Sequence, residues 1–289
     1  MTTLQQIPSL PARPDDGHKG TFGRVLVIGG SGDMIGAPVF SALAALRMGC
    51  GSVQLAVVKR NIAACLSLVP EAIGLALPDS ISAENKLPAR LSRAIEQAQS
   101  LVIGPGSGQS AAAISRVLNL LKLDSPAVID ADALNIISQM PRLPAIRLRA
   151  VLTPHPGEMA RLCRLLKRPE LDAFKTDEKA RINLAVHAAK MLNQTVLFKG
   201  HRTVITDGVH IHINQTGDST LAKAGSGDIL SGMIGSLLAQ KMSCFDAAVL
   251  GAHLHGLAGE LAGKIYLPRC ALAREIIDQI PHALKLMDS

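Results

Sequence analysis

The run Val25-Leu26-Val27-Ile28-Gly29-Gly30-Ser31-Gly32-Asp33-Met34-Ile35-Gly36, continued by residues 37–47 and then Val53-Gln54-Leu55-Ala56-Val57-Val58, sets the fold of this 289-residue chain. An apolar, β-branched run ends on glycines, a helix-length segment follows, and a second apolar run closes the unit. That is the grammar of a βαβ crossover. Val39, Leu43 and Leu46 fall at i, i+4 and i+7, which predicts one apolar helix face laid against a sheet. Further along, Leu101-Val102-Ile103 runs into Gly104-Pro105-Gly106, Ala127-Val128-Ile129 into Asp130, Ala150-Val151-Leu152 into Thr153, and Val196-Leu197-Phe198 into Lys199. Runs this continuously apolar suit parallel strands covered on both faces. The turn or polar residue after each lies at the carboxyl edge, where open α/β sheets bind ligands. Asp207-Gly208, between residues 203–206 and 209–213, predicts a hairpin, and helices are expected over 228–240, 244–263 and 270–286. The expected class is α/β, a mostly parallel central sheet flanked by helices on both faces in three α-β-α layers.

Composition narrows the partners. With 48% hydrophobic and 18% charged residues the chain can build a sizeable core, which excludes a disordered or low-complexity protein. A single domain over 20–289 is expected, preceded by a proline-rich, polar, extended arm over 1–19 that lies outside the core. The formal charge of +7 favours anionic ligands. No tryptophan, one tyrosine and five phenylalanines leave little to stack unpaired bases, so no nucleic-acid partner is expected. Cys50, Cys65, Cys163, Cys244 and Cys270 form no C-x-x-C pair, which points to reduced thiols in a cytoplasm rather than a zinc cluster or disulfide scaffold. The opening residues carry no basic region followed by an apolar core, so no membrane partner is expected either.

Several segments carry chemistry, each with a plainer alternative. The loop Gly29-Gly30-Ser31-Gly32 can meet a ligand's phosphate or simply turn tightly. It matches neither the dinucleotide fingerprint nor Walker A. In Ala224-Gly225-Ser226-Gly227-Asp228, Gly225 and Gly227 let the backbone approach an anion at the start of a helix, whose dipole adds partial positive charge. Asp228 is then either a general base beside a phosphate site or the N-cap of that helix. Lys199, Gly200, His201, Arg202 and Thr203 offer a cation, a flexible backbone and a hydroxyl to a nucleotide's phosphates, or form a basic surface turn. Thr153-Pro154-His155-Pro156-Gly157-Glu158 fixes His155 between prolines at the ligand edge. There Glu158 can hold Mg²⁺ through water or favour the next helix's first turn. Of Asp130 and Asp132, one is expected to position a metal or substrate and the other to cap a helix. His253 and His255 are expected to be core or interface histidines.

In this order and spacing, the segments His18-Lys19-Gly20-Thr21-Phe22-Gly23, Gly104-Pro105-Gly106, Asp130-Ala131-Asp132-Ala133-Leu134, Thr153 to Glu158, Lys199-Gly200 with Thr203, and Gly225-Ser226-Gly227-Asp228 resemble the ribokinase-like NAD(P)H-hydrate dehydratases. The resemblance spans nearly the whole chain. Ala224 and Asp218 depart from the family's usual G-G-T-G-D and N-P-T-G-N, and Ser226 keeps the hydroxyl of the threonine it replaces. The resemblance implies a Mg²⁺-assisted lyase that restores the S epimer of NADHX or NADPHX to NADH or NADPH, with ADP as co-substrate giving AMP and phosphate. It implies Asp228 as base and substrate contact, Gly225 and Gly227 as anion-hole donors, Lys199 to Thr203 on ADP, and Ala37, Gly106 and His155 around the hydrate. It further implies a separate epimerase in the pathway and a homotetramer. The rival expectations are a ribokinase-like kinase of a small vitamin precursor and a non-catalytic nucleotide-binding regulator.

Overall fold

The computed structural model describes residues 2–78, 86–166 and 177–287. Its strands are β1 (Thr2–Thr3), β2 (Arg24–Ile28), β3 (Ser52–Val58), β4 (Ile73–Leu77), β5 (Ser100–Ile103), β6 (Pro126–Ile129), β7 (Arg149–Leu152), β8 (Thr195–Phe198), β9 (Val204–Thr206) and β10 (His210–Ile213). The helices are α1 (Gly36–Arg47), α2 (Ile62–Leu68), α3 (Ala89–Gln97), α4 (Ala111–Leu120), α5 (Asp132–Ser138), α6 (Pro156–Leu165), α7 (Glu178–Leu192), α8 (Ser226–Ala239), α9 (Cys244–Tyr266) and α10 (Ala273–Lys285). The strands form one sheet in the order β1-β10-β9-β8-β7-β6-β5-β2-β3-β4. It is parallel from β8 to β4, and β9 runs antiparallel to both its neighbours.

Alternation along each strand divides the core into two halves. Val25, Val27, Val102, Val128 and Val151 face α1, α8, α9 and α10, while Leu26, Ile28, Ile103, Ile129 and Leu152 face α3 to α7. Both faces are therefore covered, which is the three-layer arrangement the apolar runs predict. The chain steps outward through β2, β3 and β4, then returns to place β5 on the other side of β2. The topological switch thus lies between β2 and β5, and the loops leaving those strands meet there. Gly30 donates its N–H to the Pro105 carbonyl at 3.0 Å. Gly104, at φ +121°, sits so tightly that a Cβ on it would lie 1.9 Å from the Asp130 carbonyl oxygen.

Three sequence expectations need correction. The predicted leucine stripe on α1 is not its deepest face. Val39 is buried, with Pro38, Ser41, Ala42, Ala44 and Ala45, whereas Leu43 and Leu46 are only partly covered. The reason is a close crossing with α8, where a Cβ on Gly232 would lie 2.1 Å from the Ser41 carbonyl oxygen. Small residues let the backbones touch, and the Ser41 hydroxyl then donates to the Asp228 carbonyl at 2.9 Å. The arm is extended but does not lie apart from the fold. Thr2–Thr3 adds a parallel edge strand to β10, His212 Nδ1 donates to the Leu4 carbonyl at 2.9 Å, and Ile7 and Leu10 pack on the core. The edge strand β4 was not foreseen, because Gly74 and Ala76 dilute its pattern. Among the described residues no helix is long and apolar enough to cross a membrane.

The α1–α8 crossing yields a stability test. Gly232→Ala is expected to destabilise the protein by about 1–3 kcal/mol, the usual cost of overpacking, seen as a lower urea midpoint with unchanged slope. An unchanged midpoint would mean that the two helices can part without loss.

Candidate active site

The ends of β6, β7 and β8 and the first turn of α8 converge on one buried ion pair. The Lys199 ammonium lies 3.0 Å from Asp130 Oδ1 and 3.9 Å from Glu158 Oε2, with side-chain exposures of 19%, 2% and 4%. Asp130 also accepts the Ser231 hydroxyl from α8. Burial alone would raise the Asp130 pKa, but Lys199, Ser231 and Thr153 hold it below the ordinary value. Burial would likewise lower Lys199, and Asp130 with Glu158 outweighs that and raises it. The turn that delivers Asp130 is strained, since Ala131 sits at φ 50°, ψ −119°. Asp132, beyond it, accepts the Gly108 N–H at 2.7 Å and opens α5 without being its N-cap, which is Ala131. So Asp130 is the carboxylate that builds the site, and Asp132 ties α5 to the loop after β5.

Asp228 does not cap its helix. The N-cap of α8 is Gly225, in the left-handed region at φ +92°, and Asp228 lies in the helix's first turn with no hydrogen bond to its carboxylate among the described residues. Burial, then the nearby Asp130, pushes its pKa up from 3.8 to about 7, while Lys199 partly opposes the shift. A carboxylate titrating there is matched to proton abstraction near neutral pH. Gly227 stands over the ion pair, where an added Cβ would lie 3.2 Å from Lys199 Nζ. The first-turn amides of α8 have no intrahelical acceptor, so they face a field already shaped by the ammonium.

The predicted nucleotide block divides. Gly200, His201, Arg202 and Thr203 line a pocket of about 590 Å³, but Lys199 does not. Its side chain turns to Asp130 instead, while its own N–H donates to the Pro154 carbonyl. Arg202 reaches the pocket with its guanidinium 3.1 Å from Glu178, and Arg181 pins the loop by donating to the His201 carbonyl at 2.6 Å. The remaining walls come from Asn214, Thr216, Gly217, Leu221 and His255, among others. His255 is buried 3.2 Å from the Ser226 hydroxyl, and burial depresses its pKa to about 4, so it is a neutral support of the first turn of α8. Neither His255 nor Ser231 was expected at the site; their spacing on helices carries no motif.

Ala37 and Gly106 come together, since a Cβ on Gly106 would sit 3.3 Å from that of Ala37. His155 and Glu158 form a capping box on α6. Glu158 accepts the His155 N–H at 2.8 Å, His155 Nδ1 accepts the Gly157 N–H, and the imidazole remains half exposed beside Lys199. Burial raises Glu158 to about 7, with Lys199 lowering and Asp130 raising it. Among the described residues no three His, Cys, Asp or Glu side chains gather as a metal cage.

Residues 25–282 match the family described as NAD(P)H-hydrate dehydratase. A Neisseria meningitidis protein named ADP-dependent (S)-NAD(P)H-hydrate dehydratase is 39% identical over 86% of this chain and 80% of its own length. A Moorella thermoacetica protein named bifunctional NAD(P)H-hydrate repair enzyme is 39% identical over 96% of this chain, which spans about half, 52%, of that relative's length. The Bacillus subtilis ADP/ATP-dependent NAD(P)H-hydrate dehydratase, co-crystallised with ATP and Mg²⁺, superposes with a TM-score of 0.79 at 29% identity, covering 96% of this chain and 95% of the other. A hydroxyethylthiazole kinase of Pyrococcus horikoshii shares the fold at TM-score 0.61 and 17% identity, covering 91% and 89%.

Unpairing the buried cation tests how the site is held. Asp130→Asn is expected to cost about 3–5 kcal/mol of unfolding free energy, because it strands a charge inside. The double variant Asp130→Asn/Lys199→Gln should cost less than that single change. Additive losses would show that the pair does not act as a unit.

Proposed function

The chain belongs to the NAD(P)H-hydrate dehydratase family, and from that premise we propose that it converts the S epimer of NADHX or NADPHX to NADH or NADPH, using ADP and releasing AMP and phosphate. The observation that carries this reading is Asp228, a carboxylate without a hydrogen-bond partner among the described residues and with its pKa raised to about 7 at the first turn of α8. It lies on the helix that also supplies Leu230 to the nucleotide pocket, and its carbonyl is held by Ser41, one turn after Ala37. Asp228 would take the proton of the C6 hydroxyl as that oxygen attacks the terminal phosphoryl of ADP, and AMP would leave. The ring nitrogen's lone pair would then expel phosphate from C6, and loss of the C5 proton would restore the dihydropyridine.

The protein's share is position and charge, as phosphoryl transfer requires. Gly225 and Gly227 would let the α8 amides meet the transferring group, Lys199 would neutralise charge on it, and Gly200, His201, Arg202 and Thr203 would hold ADP. Ala37, Gly106 and His155 would line the hydrate's side. Mg²⁺ fits as an ion carried by the nucleotide phosphates, where it would neutralise charge. Asp130 is committed to Lys199 and Ser231, and Glu158, beside Lys199, would reach the ion through water. We read the protein further as a cytoplasmic homotetramer that works together with an epimerase activity. Exposed Ile265, Tyr266, Leu267 and Leu272, near the end of α9, support self-association.

Absorbance at 340 nm after mixing the protein with acid-hydrated NADH, Mg²⁺ and ADP should recover the reduced-nicotinamide band. A stable phosphorylated product without that recovery would mark a kinase instead. Asp228→Asn should lower turnover by about 10²–10⁴-fold, and wild-type kcat/KM should rise with pH through about 7. Stability gives an independent sign. A carboxyl raised from 3.8 stabilises the fold while protonated and loses that contribution as pH climbs through about 7. Asp228→Asn should therefore be more stable than wild type at about pH 8 and equal to it near about pH 4. Equal stability at both would contradict the raised pKa.

A further inference from the structure

A second pocket, of about 360 Å³, opens on the other flank of the carboxyl edge, beyond the β2–β5 switch point. Its walls include the Gly29–Gly32 loop, Arg60 from the turn after β3, and Ser110 and Arg116 at α4, and among the described residues the lining has no carboxylate. The Arg60 guanidinium lies across the glycine loop, so close that a Cβ on Gly32 would sit 1.9 Å from its Nη2. Arg60 makes no hydrogen bond or ion pair among the described residues. Arg116 donates to the Pro78 carbonyl at 2.9 Å, which fixes its guanidinium at the wall. The Ser110 hydroxyl is used on the Ala113 N–H, so the amides of Ala111 and Ala112 are left without an intrahelical acceptor. Two guanidiniums, a glycine loop and a helix start around one cavity make a site for a phosphate ester.

The pocket adjoins the loop that carries Gly106, because Ser31, which lines it, donates its N–H to the Gly106 carbonyl. From β6, which carries Asp130, to β3, which leads to Arg60, is three strand spacings, about 14 Å. That reach suits a dinucleotide lying extended along the edge with its reacting ring at Asp228. The opposite flank, by β8 to β10, is the ADP side. We propose that this second pocket holds a phosphate of the substrate's adenylate half, with Arg60 as the contact that secures it. The inference rests on the dehydratase reading.

The test is steady-state kinetics of Arg60→Ala and Arg60→Lys with NADHX and with NADPHX at saturating ADP. Arg60 is exposed, so the variants should fold. Arg60→Ala should raise the hydrate KM about tenfold or more, with kcat and the KM for ADP nearly unchanged, and Arg60→Lys should recover part of the loss. A rise confined to NADPHX identifies the ribose 2′-phosphate as the group held, and an equal rise for both hydrates identifies the pyrophosphate. An unchanged KM for both hydrates in active Arg60→Ala overturns the inference and leaves the dehydratase reading standing. A wild-type protein that turns over neither hydrate removes both.

Discussion

The Lys199–Asp130 ion pair is the constraint around which the rest is arranged. It joins the ends of β6 and β8 beneath the start of α8, and Ser231 binds the helix to the same carboxylate. Taking two charges out of water costs several kcal/mol per ion, and an apolar pair of similar shape would often hold a fold as well. The pair is better understood through what it sets nearby. Asp130 favours the charged form of Lys199, and burial, then the negative charge of Asp130, pushes the Asp228 carboxyl up to about 7. One buried carboxylate thus acts on both neighbouring groups, the Lys199 ammonium and the Asp228 carboxyl.

The scaffold serves that arrangement with close backbone approaches. Gly104 lets its loop touch Asp130, Gly232 brings α1 against α8, and Gly225 turns the chain into α8. The strained Ala131 belongs to the same set, since it carries the chain from Asp130 into α5 within one residue. Two pockets then open along the carboxyl edge, one lined by Gly200, His201, Arg202 and Thr203 and the other by the Gly29–Gly32 loop with Arg60. The topological switch between β2 and β5 lies beside the second of these.

Much of this is legible in the sequence because buried parallel strands must be apolar on both faces, and the residue that ends each one marks the ligand edge. Asp130, Thr153 and Lys199 were found in that way. Long-range geometry was not legible. Nothing in the spacing of Lys199 to Thr203 says that the first side chain turns inward while the others line a pocket, because its partner Asp130 is 69 residues away. His255 and Ser231 meet the site only because α9 and α8 pack there. That Asp228 does not cap its helix is likewise hidden in the sequence, because the helix start at Gly225 depends on a left-handed backbone there. The leucine stripe on α1 misled because periodicity reports apolar area, whereas small residues decide which face can approach most closely.

In the proposed reaction the C6 oxygen is phosphorylated before it leaves. Hydrate made in ¹⁸O-labelled water carries the label on that hydroxyl, and the inorganic phosphate released during turnover with ADP can be analysed by mass. Phosphorylation of that oxygen puts the label in phosphate, one atom for each NADH formed. Unlabelled phosphate, with the ¹⁸O found in water, would contradict it, because C6 would then have lost hydroxide without phosphoryl transfer to its oxygen.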